Sequence, residues 1–174
     1  VWKHTNISQS RKIQLYQACV VSKLLYGLQT VWLSKQLRQR IDGFHCACLR
    51  QIYGIPHSYI SRISNATVLE KAGEIPLHRQ LLRQQLLYYG RLQCSDTHPA
   101  KHLLYDRVTK RRRGRPHLSW AVELNKHIEN MTCDSSCIYN LISWRNAVNI
   151  YCSSYFSLRL IFLADVPWVG TRLL

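Results

Sequence analysis

The sequence predicts an all-α fold, an irregular multi-helix bundle, and three observations point that way. Apolar residues recur three and four apart along most of the 174 positions, the period of a helix face rather than the strict alternation of a strand. Only 7 Gly and 5 Pro interrupt them, few for a fold made of strands and tight turns. Hydrophobic residues make up 47%, enough for one sizeable core or two small helical subdomains.

The first long helix is expected over about 11–33. Ile13, Tyr16, Val20, Leu24, Leu28 and Val31 form one stripe, with Ser8 or Ser10 placed to cap its start. Gly27 falls inside this span and costs about 1 kcal/mol there relative to Ala. It therefore implies close packing against its backbone, or a bend. A second helix fits 35–53, with Leu37, Ile41, Phe44, Cys48 and Ile52 in register and Arg38, Arg40 and Arg50 off that face. Gly54 supplies its C-cap and Pro56 its stop.

Residues 57–64 read as a loop, and a short helix comes next over about 65–72, closed by Gly73. After Pro76, Leu77, Leu81, Leu82, Leu86, Tyr89 and Leu92 give the next helix a broad apolar side, with Arg79 and Arg83 one turn apart outside it. Residues 94–117 lose the periodicity and form the best linker or exposed loop. Two more helices are expected, at about 119–130 around Trp120, Leu124 and Ile128, and at about 136–152 around Leu141, Trp144 and Val148. The apolar stretch 157–169 contains Arg159, Asp165 and Pro167 and falls short of the roughly 20 residues a bilayer span needs. It reads as a packing helix or tail, with no membrane partner. The resulting division is 1–56, 57–98, a basic loop or linker at 99–118, C-terminal helices at 119–152, and an unassigned apolar tail at 153–174.

Charge narrows the class of partner. The net charge is +15, and all of the excess lies before residue 119. Residues 1–69 hold 9 Lys or Arg against Asp42 alone, and 70–118 hold 11 against 4 acids, whereas 119–174 balance at 4 against 4. A polyanion neutralises such a chain best, with DNA or RNA first and an anionic membrane surface second. A merely soluble basic face is the plainer alternative. The most local signal is Lys110, Arg111, Arg112, Arg113 and Arg115 around Gly114, ahead of Pro116. That run suits a phosphate grip, a nuclear-import signal, or simply a solvated loop.

Catalytic and metal signals are weak. The 9 acids are scattered singly, unlike a two-metal polymerase or nuclease site. Cys46 and Cys48 stand too close for a structural zinc pair, and Cys133 with Cys137 lacks a convincing second pair. The 7 cysteines therefore read as free thiols of a reducing compartment. Trp32, Trp120 and Trp144 sit on apolar stripes and read as core anchors. Tyr88 and Tyr89 beside Arg91 suggest one buried ring and one exposed near phosphates or bases.

Taken together, these landmarks resemble the C-terminal region of non-LTR (LINE-like) retrotransposon reverse transcriptases, comprising the thumb and the post-thumb helices. The resemblance rests on Trp2, on 11–16, on 23–27 with Thr30, Val31 and Trp32, and on Phe44 with Cys48, Leu49 and Arg50. It continues through Gly54, Ile55 and Pro56, through Ile63, Ser64 and Asn65, and through 87–91. It ends with Gly114, Arg115, Pro116 and Trp120, and then Trp144, Arg145 and Val148. It covers about 2–152, and 153–174 match nothing in it. The chain opens on Val1 and is read as cut from a longer product.

The resemblance implies a fragment of a larger polymerase whose catalytic aspartates, and the Mg2+ they hold, belong to an upstream palm. This chain itself is then inactive alone and carries no cofactor. Residues 1–56 become a thumb-like segment. Lys12, Lys23, Arg50 and Arg115 are the basic positions that match the family best, and Arg79, Arg83, Arg91, Lys110, Arg111, Arg112 and Arg113 extend the expected nucleic-acid contact. The family often has His where this chain has Arg91, and the zinc knuckle of some relatives is not recognisable. Expected partners are RNA, DNA or an RNA–DNA hybrid, together with the palm. The expected location is the nucleus, with the cytoplasm second. Two other readings compete: a stand-alone basic helical DNA-binding protein, and a structural fragment or relic without autonomous function.

Overall fold

Ser8 opens the first helix, its hydroxyl accepting from the Arg11 amide at 3.3 Å. The computed structural model describes residues 6–95, 97–101, 120–131 and 135–164, without the side chains of 135, 136 and 154–164. Among them are eight α-helices and no strand, so the all-α expectation is met.

Helix α1 spans Gln9–Tyr16, passes through one π-helical turn at Gln17–Val21, and continues as α2, Ser22–Leu25. The π turn holds one residue more than an α turn, so the buried face steps from Tyr16 to Val21 and then to Leu25. The expected stripe through Val20 and Leu24 is therefore displaced by one residue, and those two are only partly buried. The helix also stops eight residues early. Gly27 adopts φ +77°, and a Cβ there would meet nothing within 4 Å. Its role is a left-handed turn that most side chains disfavour, and neither close packing nor a mid-helix bend explains it. A 3-10 turn, Leu28–Thr30, comes next.

Helix α3, Lys35–Tyr53, has the expected bounds, with Ser34 accepting from the Leu37 amide and Gly54 left-handed at its end. Its buried face differs from the expected stripe. His45, Cys46, Leu49, Arg50 and Ile52 are buried, while Leu37 and Phe44 stay about half exposed at 45% and 46%. The span 57–64, expected as loop, contains the one-turn helix α4, Ser58–Ser61, stopped by Arg62 at φ 52°. Helix α5, Asn65–Ala72, is closed by Gly73 as its sequence implies, and Ser64 caps its start.

Helix α6, Leu77–Cys94, joins two cores. Its first half sends Leu77 and Leu81 into a cluster with Tyr16, Val21, Leu25, Leu33, Leu49, Ile52 and Val68. Its second half sends Leu86 and Tyr89 into another, shared with α7 (Trp120–Glu129) and α8 (Leu141–Ala164) through Leu124, Met131, Trp144, Val148 and Tyr151. Each buried Leu contributes about 1.5–3 kcal/mol of transfer free energy, so α6 couples the stability of both halves. The packing divides within α6, between Leu81 and Leu86, rather than near residue 56. Buried Gln85 marks the junction and donates to the Val31 carbonyl at 2.7 Å, which fixes the turn after α2 against α6.

Helix α8 begins five residues later than expected, because a 3-10 turn, Ser135–Tyr139, precedes it and Asn140 caps it. It then runs through Ala164, twelve residues past its expected end, into the stretch expected as an unassigned tail. Among the described residues no helix is long and apolar enough to cross a membrane.

Candidate nucleic-acid interface

The expected contact residues separate into distinct environments. Lys12 is buried, with 8% of its surface exposed. Arg50 is also buried, and its guanidinium donates to the Pro56 carbonyl, Ser61 Oγ, the Ile63 carbonyl at 2.6 Å and Asn65 Oδ1. Four acceptors from the segment between α3 and α5 consume that fork. Arg50 is therefore a structural clamp, which corrects its placement among the phosphate contacts. The displaced face of α3 is the reason, since it turns Arg50 inward. Burial likewise removes Lys12 from the surface contacts.

Lys23 and Arg91 are exposed. Arg83 is half-buried and donates through Nε to Asn149 Oδ1 at 3.0 Å, which ties α6 to α8. Arg79 lines a cleft on another side of α6. Lys110, Arg111, Arg112, Arg113 and Arg115 lie outside the described residues.

Arg91 forms one end of a groove between α2 with its succeeding turn and the middle of α6. Ser22, Tyr26, Gln29, Gln84 and Tyr88 line the groove, with Leu25 and Leu87 at its floor. Its volume is about 350 Å³, and among the described residues no carboxylate lines it. Tyr26 is 86% exposed because the chain turns extended there ahead of Gly27. Tyr89 is buried and donates to Asn125 Oδ1 at 3.1 Å, whereas its neighbour Tyr88 reaches the groove and meets the edge of Trp120. Tyr89 is the buried ring expected of this pair, while Tyr88 is half-buried rather than exposed. The groove thus gathers two aromatic rings, two amide side chains, a hydroxyl and a cation. These groups stack, hydrogen-bond and neutralise, and they include no base–nucleophile pair.

Sequence reasoning misses Tyr26, Gln29, Gln84 and Ser22 as groove residues. The available signal is the Leu-Tyr-Gly end of the first helix, but its periodicity reads as continuous helix, which hides the exposed ring. Trp32, expected on a helical stripe, lies beyond α2 and carries the Arg38 guanidinium over its ring at 5.0 Å. Trp144 is a core anchor, 1% exposed.

The titratable groups farther inside are structural. Tyr16 and His45 stack and share a 2.8 Å hydrogen bond in the first core. Burial pushes the Tyr16 hydroxyl far up and the His45 imidazole down, so both stay neutral at neutral pH. Asp42 accepts from the His78 amide at 3.0 Å and from its ring at 2.5 Å, capping the start of α6. Burial raises the Asp42 pKa, but the His78 hydrogen bonds and charge outweigh it, and the net direction is down. Among the described residues no group of three or more His, Cys, Asp or Glu is placed to hold a metal ion, and the six described cysteines are free. No family model matches the chain, and no curated protein or solved structure is significantly similar to it.

Proposed function

We propose that this chain is a non-catalytic portion of an RNA-directed DNA polymerase of the non-LTR retrotransposon type, and that it positions primer–template nucleic acid through phosphate contacts. The observation that carries the reading is the groove of Tyr26, Tyr88 and Arg91, which no carboxylate lines among the described residues, with exposed Lys23 next to Ser22 in the sequence, on a chain of net charge +15. Cations supply sequence-independent affinity for a backbone, and tyrosine rings accept a base or sugar face without selecting a sequence. Such contacts suit a segment that holds whatever duplex is being copied. The basic run at 110–115 adds a further phosphate contact and a nuclear address in this reading. Polymerisation itself belongs to the upstream palm and its Mg2+.

The test is fluorescence anisotropy of the whole chain with an RNA–DNA hybrid, duplex DNA and single strands over a salt series. The reading expects steeply salt-dependent binding with the hybrid or duplex preferred. Failure to bind any of them at low salt, from protein shown to be folded, removes autonomous nucleic-acid binding.

A further inference from the structure

Two walls face each other across the groove that ends at Arg91. On α6 the positions 84, 88 and 91 are four and three apart and share one helix face, so Gln84, Tyr88 and Arg91 stand in a row along it. On the other wall Ser22 and Tyr26 are four apart, and Gln29 comes after the turn. The left-handed Gly27 breaks the helix directly after Tyr26 and leaves that ring 86% exposed. Trp120 meets Tyr88 edge-on, ring centroids 6.0 Å apart, and braces it from α7. Tyr26, Gln84 and Arg91 are all exposed, so a strand in solvent reaches them. Gln85, by contrast, is spent on the Leu28 and Val31 carbonyls.

A duplex uses this set of groups poorly. Its outer surface offers phosphates and base edges, while its base faces are stacked inside. Phosphates call for cations, yet among the described residues one guanidinium is the only cation lining the groove. The other groups are two phenol rings, two primary amides, a hydroxyl and the leucine floor. An unpaired nucleotide matches all of them. Its base lays a flat face on a tyrosine ring, its edge pairs with amides that both donate and accept, and its phosphate suits Arg91. From Gln84 to Arg91 the helix rises about 10 Å. With a volume of about 350 Å³, the groove has room for one nucleotide and not for a base pair with its two strands.

We infer that the groove takes one unpaired nucleotide of a single strand, its base on the Tyr26 and Tyr88 rings and its phosphate on Arg91. The inference rests on the nucleic-acid reading above and adds the state of the strand. A chain that also holds the duplex then sits at the junction between the paired and the unpaired part of a template.

The experiment measures anisotropy of the whole chain with three RNA–DNA hybrids: one blunt, one with a short single-stranded extension, and one with the same extension made abasic. The abasic extension keeps every phosphate and lacks the bases. The expected result is binding about tenfold tighter for the extension that carries bases. Tyr26→Ala of native circular dichroism equalises the two extensions, and Tyr26→Phe keeps the difference. Tyr139→Ala, which removes a ring 76% exposed elsewhere, keeps it too. Salt separates the contributions, because Arg91→Gln lowers the salt slope and Tyr26→Ala does not. Equal binding of the two extensions, or a difference that persists in folded Tyr26→Ala, overturns the inference, and blunt-hybrid binding then still upholds the phosphate reading. Single strands that bind with this Tyr26 dependence, beside a blunt hybrid that does not bind, uphold the inference and remove duplex positioning instead.

Discussion

The Trp144 indole lies directly against the α-carbon of Gly90, where any side chain would overlap it, and its Nε1 donates to the Leu86 carbonyl at 2.8 Å. One ring thus fills the groove that glycine opens and bonds the backbone one turn earlier. This joins α8 to α6 in the second core.

Gly90→Ala is therefore expected to destabilise the protein by about 1–3 kcal/mol through overpacking, although Ala is the better helix former by about 1 kcal/mol. Gly43, exposed in the middle of α3 with nothing within 4 Å of a Cβ, predicts the opposite sign. Gly43→Ala should stabilise by about 0.5–1 kcal/mol. Urea unfolding of the two variants side by side checks the pair.

Arg50→Gln removes the guanidinium from the Ile63 carbonyl and leaves the Pro56 carbonyl only its Ser61 hydroxyl donor, and a loss of about 3 kcal/mol results from breaking a buried charged network. Nucleic-acid affinity per folded molecule stays unchanged, because the guanidinium faces the protein. A variant of native stability with weakened binding contradicts the clamp.

Acid should act in two stages. The depressed His45 pKa means that the folded state binds fewer protons, so stability falls as pH drops below the ordinary histidine value of 6.5. The depressed Asp42 pKa contributes stability above its ordinary value of 3.8, which is lost as pH falls through the folded value. Chemical denaturation from pH 8 to 3 should show both limbs. His45→Gln should flatten the upper one and Asp42→Asn the lower.

Much of the fold is legible where the signal is local. Gly54 and Gly73 end their helices where the sequence expects, and the bounds 35–53 and 65–72 come directly from it, while the Ser34 and Ser64 caps are seen in the structure. The π turn is not legible. Nothing local in Gln17–Val21 marks an extra residue, and the one-residue displacement of the buried face is set by what Tyr16, Val21 and Leu25 pack against. The role of Arg50 is hidden because its acceptors lie 6 to 15 residues away, beyond any helical periodicity.

Stretches far apart in the sequence meet in space. Those around Arg50, Pro56, Ile63 and Asn65 meet at one guanidinium, and those around Gly90 and Trp144 meet at one ring. Tyr26 is hidden as a groove residue because the periodicity of the first helix reads through Gly27 as continuous helix.

The most direct test of the central claim is the salt dependence of hybrid binding by Lys23→Gln/Arg91→Gln against a Lys126→Gln/Arg145→Gln control of equal charge. The account predicts that the first pair weakens binding and lowers the slope of log K against log salt by about 2, roughly one counterion per lost phosphate contact. The control should retain nearly the parent slope. Equal losses in both pairs would contradict the groove and leave only diffuse attraction to a basic surface.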